Sequence, residues 1–195
     1  MTAISTRVPA KIELRPATME DWPRISRWLG RPEIIRWWGP RATTEAEVLL
    51  ALGSKQALCR IIEAPDNGAG GRPSPIGYAH AFDGALAQTD GAASLPTGSW
   101  KADVFVASPE HRGRGVGANA VARLVDEVLA STLAIAVHVQ IGVGREKAVR
   151  AYEAIGFRWV SIVNQPDREP EWLMVIERKS SSSATIQPGG QIRLL

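Results

Sequence analysis

Cysteine and histidine are scarce in this chain. Its 195 residues include one cysteine, Cys59, and three histidines, His80, His111 and His138. A lone thiol cannot close an internal disulfide and suits a reducing compartment, so the cytoplasm is the expected location. No histidines or cysteines stand at zinc-ligand spacing, and no metal is expected. Long apolar runs are missing as well. Nothing approaches the ~20 consecutive apolar residues of a membrane span, and "MTAISTRVPAK" lacks the apolar centre of a secretion signal. Nor does charge of one sign accumulate. The 23 basic and 20 acidic residues interleave to a formal net charge of +3, which is compatible with an anionic ligand and unlike the basic tract of a nucleic-acid tail. Membranes and nucleic acids are not expected partners.

What is present fits one globular domain. The apolar share of 45% and the charged share of 22% suit a chain that buries a core and stays in water. "KIELRPA", from Lys11, alternates as a strand does. A helix follows, with Thr18 as its cap and Gly30 as its stop, and "RPEIIRWWGP" is a short helix closed by Gly39 and Pro40. In "TTEAEVLLALG" Thr43 or Thr44 caps a further helix, and Glu47 completes a capping-box pattern from Thr44. Three strands come next, "QALCRIIEA", "PIGYAHAF" and "WKADVFVA", separated by two loose stretches. The remainder reads helix, strand "LAIAVHVQIG", helix "REKAVRAYEAIG", and strands "FRWVSIVNQ" and "EWLMVIERK". The order predicts an α/β fold, with a mixed sheet of six to seven strands and helices on both faces. The expected domain runs over residues 11–179, with a short extension at 1–10 and a low-complexity, disordered tail at 180–195.

The segment "SPEHRGRGVGANAV", from Ser108 to Val121, carries the first chemical signal. Gly113, Gly115 and Gly117 strip the backbone bare where a strand turns into a helix, and Arg112 and Arg114 add charge. The first turn of a helix has unpaired N–H groups and a positive dipole end, so a phosphate fits there. A Gly-rich turn with exposed arginines is the plainer reading of the same residues. The dinucleotide pattern G-x-G-x-x-G is absent, because the third glycine comes one residue early, and the Gly-Lys-Ser/Thr ending of a nucleoside-triphosphate loop is missing.

Arg112-Gly113-Arg114-Gly115-Val116-Gly117 resembles the R/Q-x-x-G-x-G/A pyrophosphate loop of the GNAT superfamily of acyl-CoA-dependent N-acyltransferases. "KIELRPAT" resembles that family's first strand, "WKADVFVASPEHRGRGVG" its fourth strand and loop, and "AVRAYEAIGF" its tyrosine-bearing helix and Gly-Phe turn. The resemblance implies acetyl-CoA as co-substrate. Its pantetheine arm would lie between splayed fourth and fifth strands, near the backbone of Phe105 and Val106. Its pyrophosphate would sit on the amides of residues 112–117, and the later helix would bring Arg145, Ala148 and Tyr152 to it.

Acetyl transfer to an amine needs a neutral amine, a stabilised oxyanion and a protonated leaving thiolate. On "REKAVRAYEAIG" the residues Ala148, Val149, Tyr152 and Ile155 share the apolar face. The resemblance makes Tyr152 the acid, where a generic helix would offer only a core tyrosine. Asp103 lies in an otherwise apolar central strand, beside Lys101 and Phe105 on one face. It is the candidate base, the alternative being an aspartate paired with Lys101 or an arginine. The oxyanion donor would be the N–H of Phe105 or Val106.

A closer similarity is to the aminoglycoside 6′-N-acetyltransferases, which modify antibiotics. "IIRWWGP" resembles their Trp-Trp-Gly segment, which brings Trp37 and Trp38 to the acceptor, and "PIGYAHAF" resembles their third strand, with Tyr78. Asp103 falls at their catalytic aspartate, Gln140 where an aspartate is expected, and Asp167 at an acceptor-binding acid. Carboxylates and aromatic faces suit a polycationic acceptor. Arg145 stands where the family helix starts with asparagine, and the acid-rich loop before the fourth strand is missing. Siderophore lysine or hydroxylysine, polyamines and protein amines are alternative acceptors, and a non-catalytic CoA- or RNA-binding module is a third reading. The protein is expected to be a monomer or a homodimer.

Overall fold

The computed structural model describes residues 11–65, 72–84, 95–164 and 169–179. Seven strands and five α-helices follow in the order β1 (Glu13–Pro16), α1 (Trp22–Leu29), α2 (Pro32–Trp38), α3 (Arg41–Gly53), β2 (Ala57–Ala64), β3 (Ser74–Asp83) and β4 (Ser99–Val106). They continue with α4 (Val116–Ser131), β5 (Ala136–Gly142), α5 (Glu146–Ala154), β6 (Arg158–Val163) and β7 (Glu171–Glu177). The strands form one mixed sheet in the order β1-β2-β3-β4-β5-β7-β6. Every adjacent pair is antiparallel except β4 and β5. The expected architecture is the observed one. The expected extension and tail, 1–10 and 180–195, lie outside the described residues.

The two-residue period of the central strands builds a core on each face of the sheet. Ile61, Tyr78 and Phe105 join Ile25, Trp28, Leu29, Ile34 and Val48 of α1–α3. Their neighbours Ile62, Ala79 and Val104 turn the other way, into a core with Val121, Leu124 and Val128 of α4 and Tyr152 of α5. Such strands read as nearly continuous apolar runs because both faces are covered.

Two boundaries differ from the sequence reading. The capping box from Thr44 is not formed, because α3 begins at Arg41 with Pro40 at its N-cap. Thr44 sits inside the first turn, and its hydroxyl donates to the Pro40 carbonyl at 2.9 Å. Strand β5 begins only at Ala136, since "STLA" leaves Leu133 almost fully exposed. Thr18 does cap, over the 3-10 turn Met19–Asp21, where Asp21 closes a capping box.

Strands β4 and β5 pair only through Ser99↔Ala136, Trp100↔Val137 and Lys101↔His138. Beyond that register they part, and a cleft opens in the V between them. On its other edge β4 stays paired with β3 as far as Gly77↔Val106. Gly77 permits this close approach, because a Cβ there would stand 2.4 Å from the Phe105 carbonyl oxygen and 3.1 Å from Val106 Cα. Gly77→Ala is therefore expected to destabilise the fold by about 2 kcal/mol, as backbone must move to admit the methyl group. Urea melting measures it, and an unchanged midpoint would show that β3 yields without cost.

Candidate functional site

Along the open edge of β4, alternate residues turn their peptide groups into the cleft. The Val104 carbonyl accepts from Trp38 Nε1 at 3.2 Å, and the Val106 carbonyl accepts from Arg112 Nε at 2.8 Å. Phe105 is out of step with them and faces β3, in phase with Ala107, whose N–H donates to the Ile76 carbonyl at 2.7 Å. Of the two expected N–H donors, Val106 is turned to the cleft and Phe105 is not. Phe105 is nonetheless among the residues that line the cleft.

The glycine stretch closes one end of the V. After a 3-10 turn over Pro109–His111 the chain passes through Gly113 at φ 68° and Gly115 at φ 79°, left-handed conformations that favour glycine. Gly115 is the N-cap of the 16-residue α4 and offers no side chain to cap it. The N–H groups of residues 113–118 make no well-aligned hydrogen bond to the described backbone. A Cβ at Gly113 or Gly115 would meet nothing within 4 Å, so open space lies over these amides. Bare N–H groups, a helix dipole and room for an anion are what a pyrophosphate requires.

Arg112 takes another part than expected. Its guanidinium donates to the carbonyls of Val106 at 2.8 Å and Ala107 at 2.9 Å and meets Glu33 at 3.2 Å. Its own N–H goes to the Pro109 carbonyl at 3.1 Å. The side chain braces the loop against β4 and α2, and the free amides start at Gly113. Arg114 is exposed.

The other end of the V is polar and charged. Lys101 Nζ lies 3.0 Å from Glu47 Oε1 and 3.0 Å from Asp103 Oδ2. The buried His80 Nε2 lies 3.6 Å from each of the same two oxygens. At that distance these are charge contacts, not hydrogen bonds. Burial pushes the Asp103 carboxyl up, but Lys101 and His80 outweigh it and hold Asp103 well below the usual carboxylate range. Glu47 is held down against burial by His80 and Lys101. Conversely, the carboxylates hold His80 and Lys101 above their usual values against burial. Glu47, His80 and Asp103 offer ligand-type atoms all within 4.8 Å of one another, and the Lys101 ammonium supplies the positive charge at that place.

Trp38 packs edge-on against Phe105, with centroids 4.9 Å apart, and lies 5.6 Å from the His80 ring. Trp37 is half-exposed, with Arg36 at 4.9 Å and Arg145 at 5.1 Å from its ring centroid. One tryptophan is thus inward and one outward. Arg145, Ala148, Gln140 and Tyr152 line the cleft. Tyr152 is buried with its ring edge-on to Phe157 at 5.4 Å, and burial pushes its phenol above the ordinary value, so it stays protonated at neutral pH.

Tyr78 is a correction. It shares the β3 face with His80 but is fully buried under α1–α3, with its hydroxyl 3.3 Å from His80 Nδ1. It does not reach the cleft wall. Asp167 lies outside the described residues. Glu47 and Lys101 line the cleft without having been expected there, and the fully buried His80 lies behind them. In the sequence Glu47 fits a capping pattern, Lys101 is a partner for Asp103, and His80 sits in a strand, where a satisfied structural role is expected.

Residues 17–164 match the family model described as Acetyltransferase (GNAT) domain. The chain is 28% identical over 175 residues to the aminoglycoside N(6')-acetyltransferases type 1 of Klebsiella pneumoniae and Serratia marcescens, covering 85% of this chain and 83% of each relative. The crystal structure of aminoglycoside acetyltransferase AAC(6')-Ib with coenzyme A superposes with a TM-score of 0.67 at 28% identity, over 86% of this chain and 95% of that one. The same enzyme with coenzyme A and kanamycin gives 0.66 at 27%, with the same coverage. Spermidine N-acetyltransferase of Vibrio cholerae, at 0.62 and 16% identity over 85% of this chain and 95% of that one, shares the fold. Among the described residues no helix is long and apolar enough to cross a membrane.

His138, at the apex of the V, yields a pH prediction. Burial lowers its pKa to about 4. Above an unfolded value of about 6.5 both states are neutral. As pH falls, the unfolded chain takes the proton first, so stability is lost between pH 6.5 and 4, by about 3 kcal/mol for this group. His138→Gln should flatten that loss in urea melts at pH 7.5 and 4.5, and an unaltered pH dependence would remove His138 from the account.

Proposed function

The chain belongs to the GNAT family of acetyltransferases, with acetyl-CoA as co-substrate, and from that premise we propose that it acetylates the 6′-amine of an aminoglycoside by direct attack in a ternary complex. The observation that carries this reading is the open edge of β4, which joins the bare amides of residues 113–118 to the Asp103 carboxylate along one cleft. Relatives at 28% identity that are aminoglycoside acetyltransferases support the acceptor. So do Trp37 and Trp38, which line the same cleft as Asp103. On this reading the activity would protect a cell from the drug.

Acetyl-CoA supplies an activated thioester. The amides of residues 113–118 and the α4 dipole hold its pyrophosphate, Ala148 and Arg145 flank the arm, and the Val106 N–H is turned to receive the carbonyl oxygen as it gains charge. Tyr152 keeps its proton because it is buried, and it offers the O–H to the departing sulfur. Asp103, Gln140 and Trp37 address the acceptor. A carboxylate held as low as Asp103 is a poor base, since general bases work best near the operating pH. Its better role is to attract and align the acceptor ammonium, whose proton then leaves through water in the open cleft.

Two variants test the roles. Tyr152→Phe should lower kcat by about 10²-fold while the acetyl-CoA Kd stays nearly unchanged; turnover at the wild-type rate would sink the acid role. Asp103→Asn should raise the acceptor KM by about tenfold or more and leave the shape of the kcat–pH profile alone. Loss of the acid limb of that profile would instead make Asp103 the base. Kanamycin with a thiol-release readout tests the acceptor, and no release above background removes the aminoglycoside reading.

A further inference from the structure

The acceptor end of the cleft already contains an ammonium. Lys101 Nζ stands 3.0 Å from one oxygen of Glu47 and 3.0 Å from one of Asp103. The three residues come from α3 and β4 and all line the cleft. His80, from β3, is fully buried, and its Nε2 points at the same two oxygens with no hydrogen-bond partner. Two carboxylates aimed at one point are what an incoming amine would seek, and Lys101 has taken that point.

From this juxtaposition we infer that Lys101 is a specificity-determining residue, a built-in cation that fills the acceptor's charge position and limits how much positive charge an acceptor brings there. The inference rests on reading this end of the cleft as the acceptor site. Glu47 and Asp103 contribute two negative charges, and the Lys101 ammonium between them cancels one. A polycation therefore meets a cluster with half its carboxylate charge already offset. Without Lys101 the cluster would keep the full charge, and each added ammonium on the ligand would gain from it. The acceptors favoured by the wild-type cleft are amines with few charges near the reacting nitrogen, placed beside Trp38 and Gln140. The favoured class is amines of low charge density rather than the most heavily charged aminoglycosides.

Equilibrium binding separates this inference from the activity reading. Calorimetry on the full chain saturated with CoA would compare propylamine, putrescine, spermidine and kanamycin, whose charge rises along the series. K101M keeps the apolar stem and loses the charge. It should bind spermidine and kanamycin about tenfold more tightly than wild type and propylamine within about twofold, whereas K101R should match wild type. Equal affinities, weaker binding of the polycations, or one uniform gain along the series would overturn the inference. If K101M melts well below wild type, K101Q, which keeps a donor between the carboxylates, takes its place with the same expectation. Kanamycin that is turned over by wild type but bound alike by both proteins defeats only the Lys101 inference. Polycation binding that responds to K101M without any acetylation of kanamycin defeats only the aminoglycoside reading. Binding of no amine by either protein defeats both.

Discussion

The parting of β4 from β5 after Lys101↔His138 is the constraint on which the rest of the molecule depends. A parallel pair that stops after three residues leaves a row of peptide groups facing each other across a gap. Buried peptide groups need partners, so the gap must be either filled or wet. The chain fills part of it from outside the sheet. Trp38 takes the Val104 carbonyl and Arg112 takes the Val106 carbonyl, while the Val106 N–H between them is turned to the cleft. The cleft thus exposes backbone that the fold does not satisfy by itself, a direct result of the topology of the sheet.

Helix α2 spans that gap, and seven residues reach most of it. Arg31 at its N-cap donates to the Ala107 carbonyl at 2.7 Å. Glu33 holds Arg112, Trp37 lies under Arg145, and Trp38 bonds to β4. Its exit at Gly39 has φ 98°, a conformation other residues avoid, so the turn into α3 is tight. One short helix thereby ties the phosphate-loop brace, the mouth of α5 and the β4 edge together. A shift of α2 would disturb the donor and acceptor ends at once.

Much of this was legible in the sequence, and what was not has a physical reason. The element order follows from period and punctuation, since Gly30, Gly39 and Gly115 each mark a boundary. The glycine loop is local, so the chain itself carries its geometry. Arg112 lines the cleft, and its guanidinium also finds acceptors that no local pattern announces, the carbonyls of Val106 and Ala107 at the end of β4. Tyr78 misled because alternation gives the face of a strand and not what covers it. The charged cluster is non-local. Glu47 lies on α3, His80 on β3 and Lys101 on β4, and no spacing along the chain predicts that three elements aim at one point.

The two ends of the cleft are built differently. The glycine-loop end is lined by backbone, shaped by Gly113 and Gly115 at positive φ. The other end is built from side chains of three elements, Glu47 on α3, His80 on β3, and Lys101 and Asp103 on β4. The Lys101 stem lies on β4 beside Asp103, and its ammonium is 5.7 Å from the Phe82 ring centroid. Burying two carboxylates is costly unless a counter-charge is present. Here the protein carries that charge itself, where a site for a polycation would leave it to the ligand. Lys101 thus offsets the carboxylate charge from within the fold, joining α3 to β4 through one ammonium.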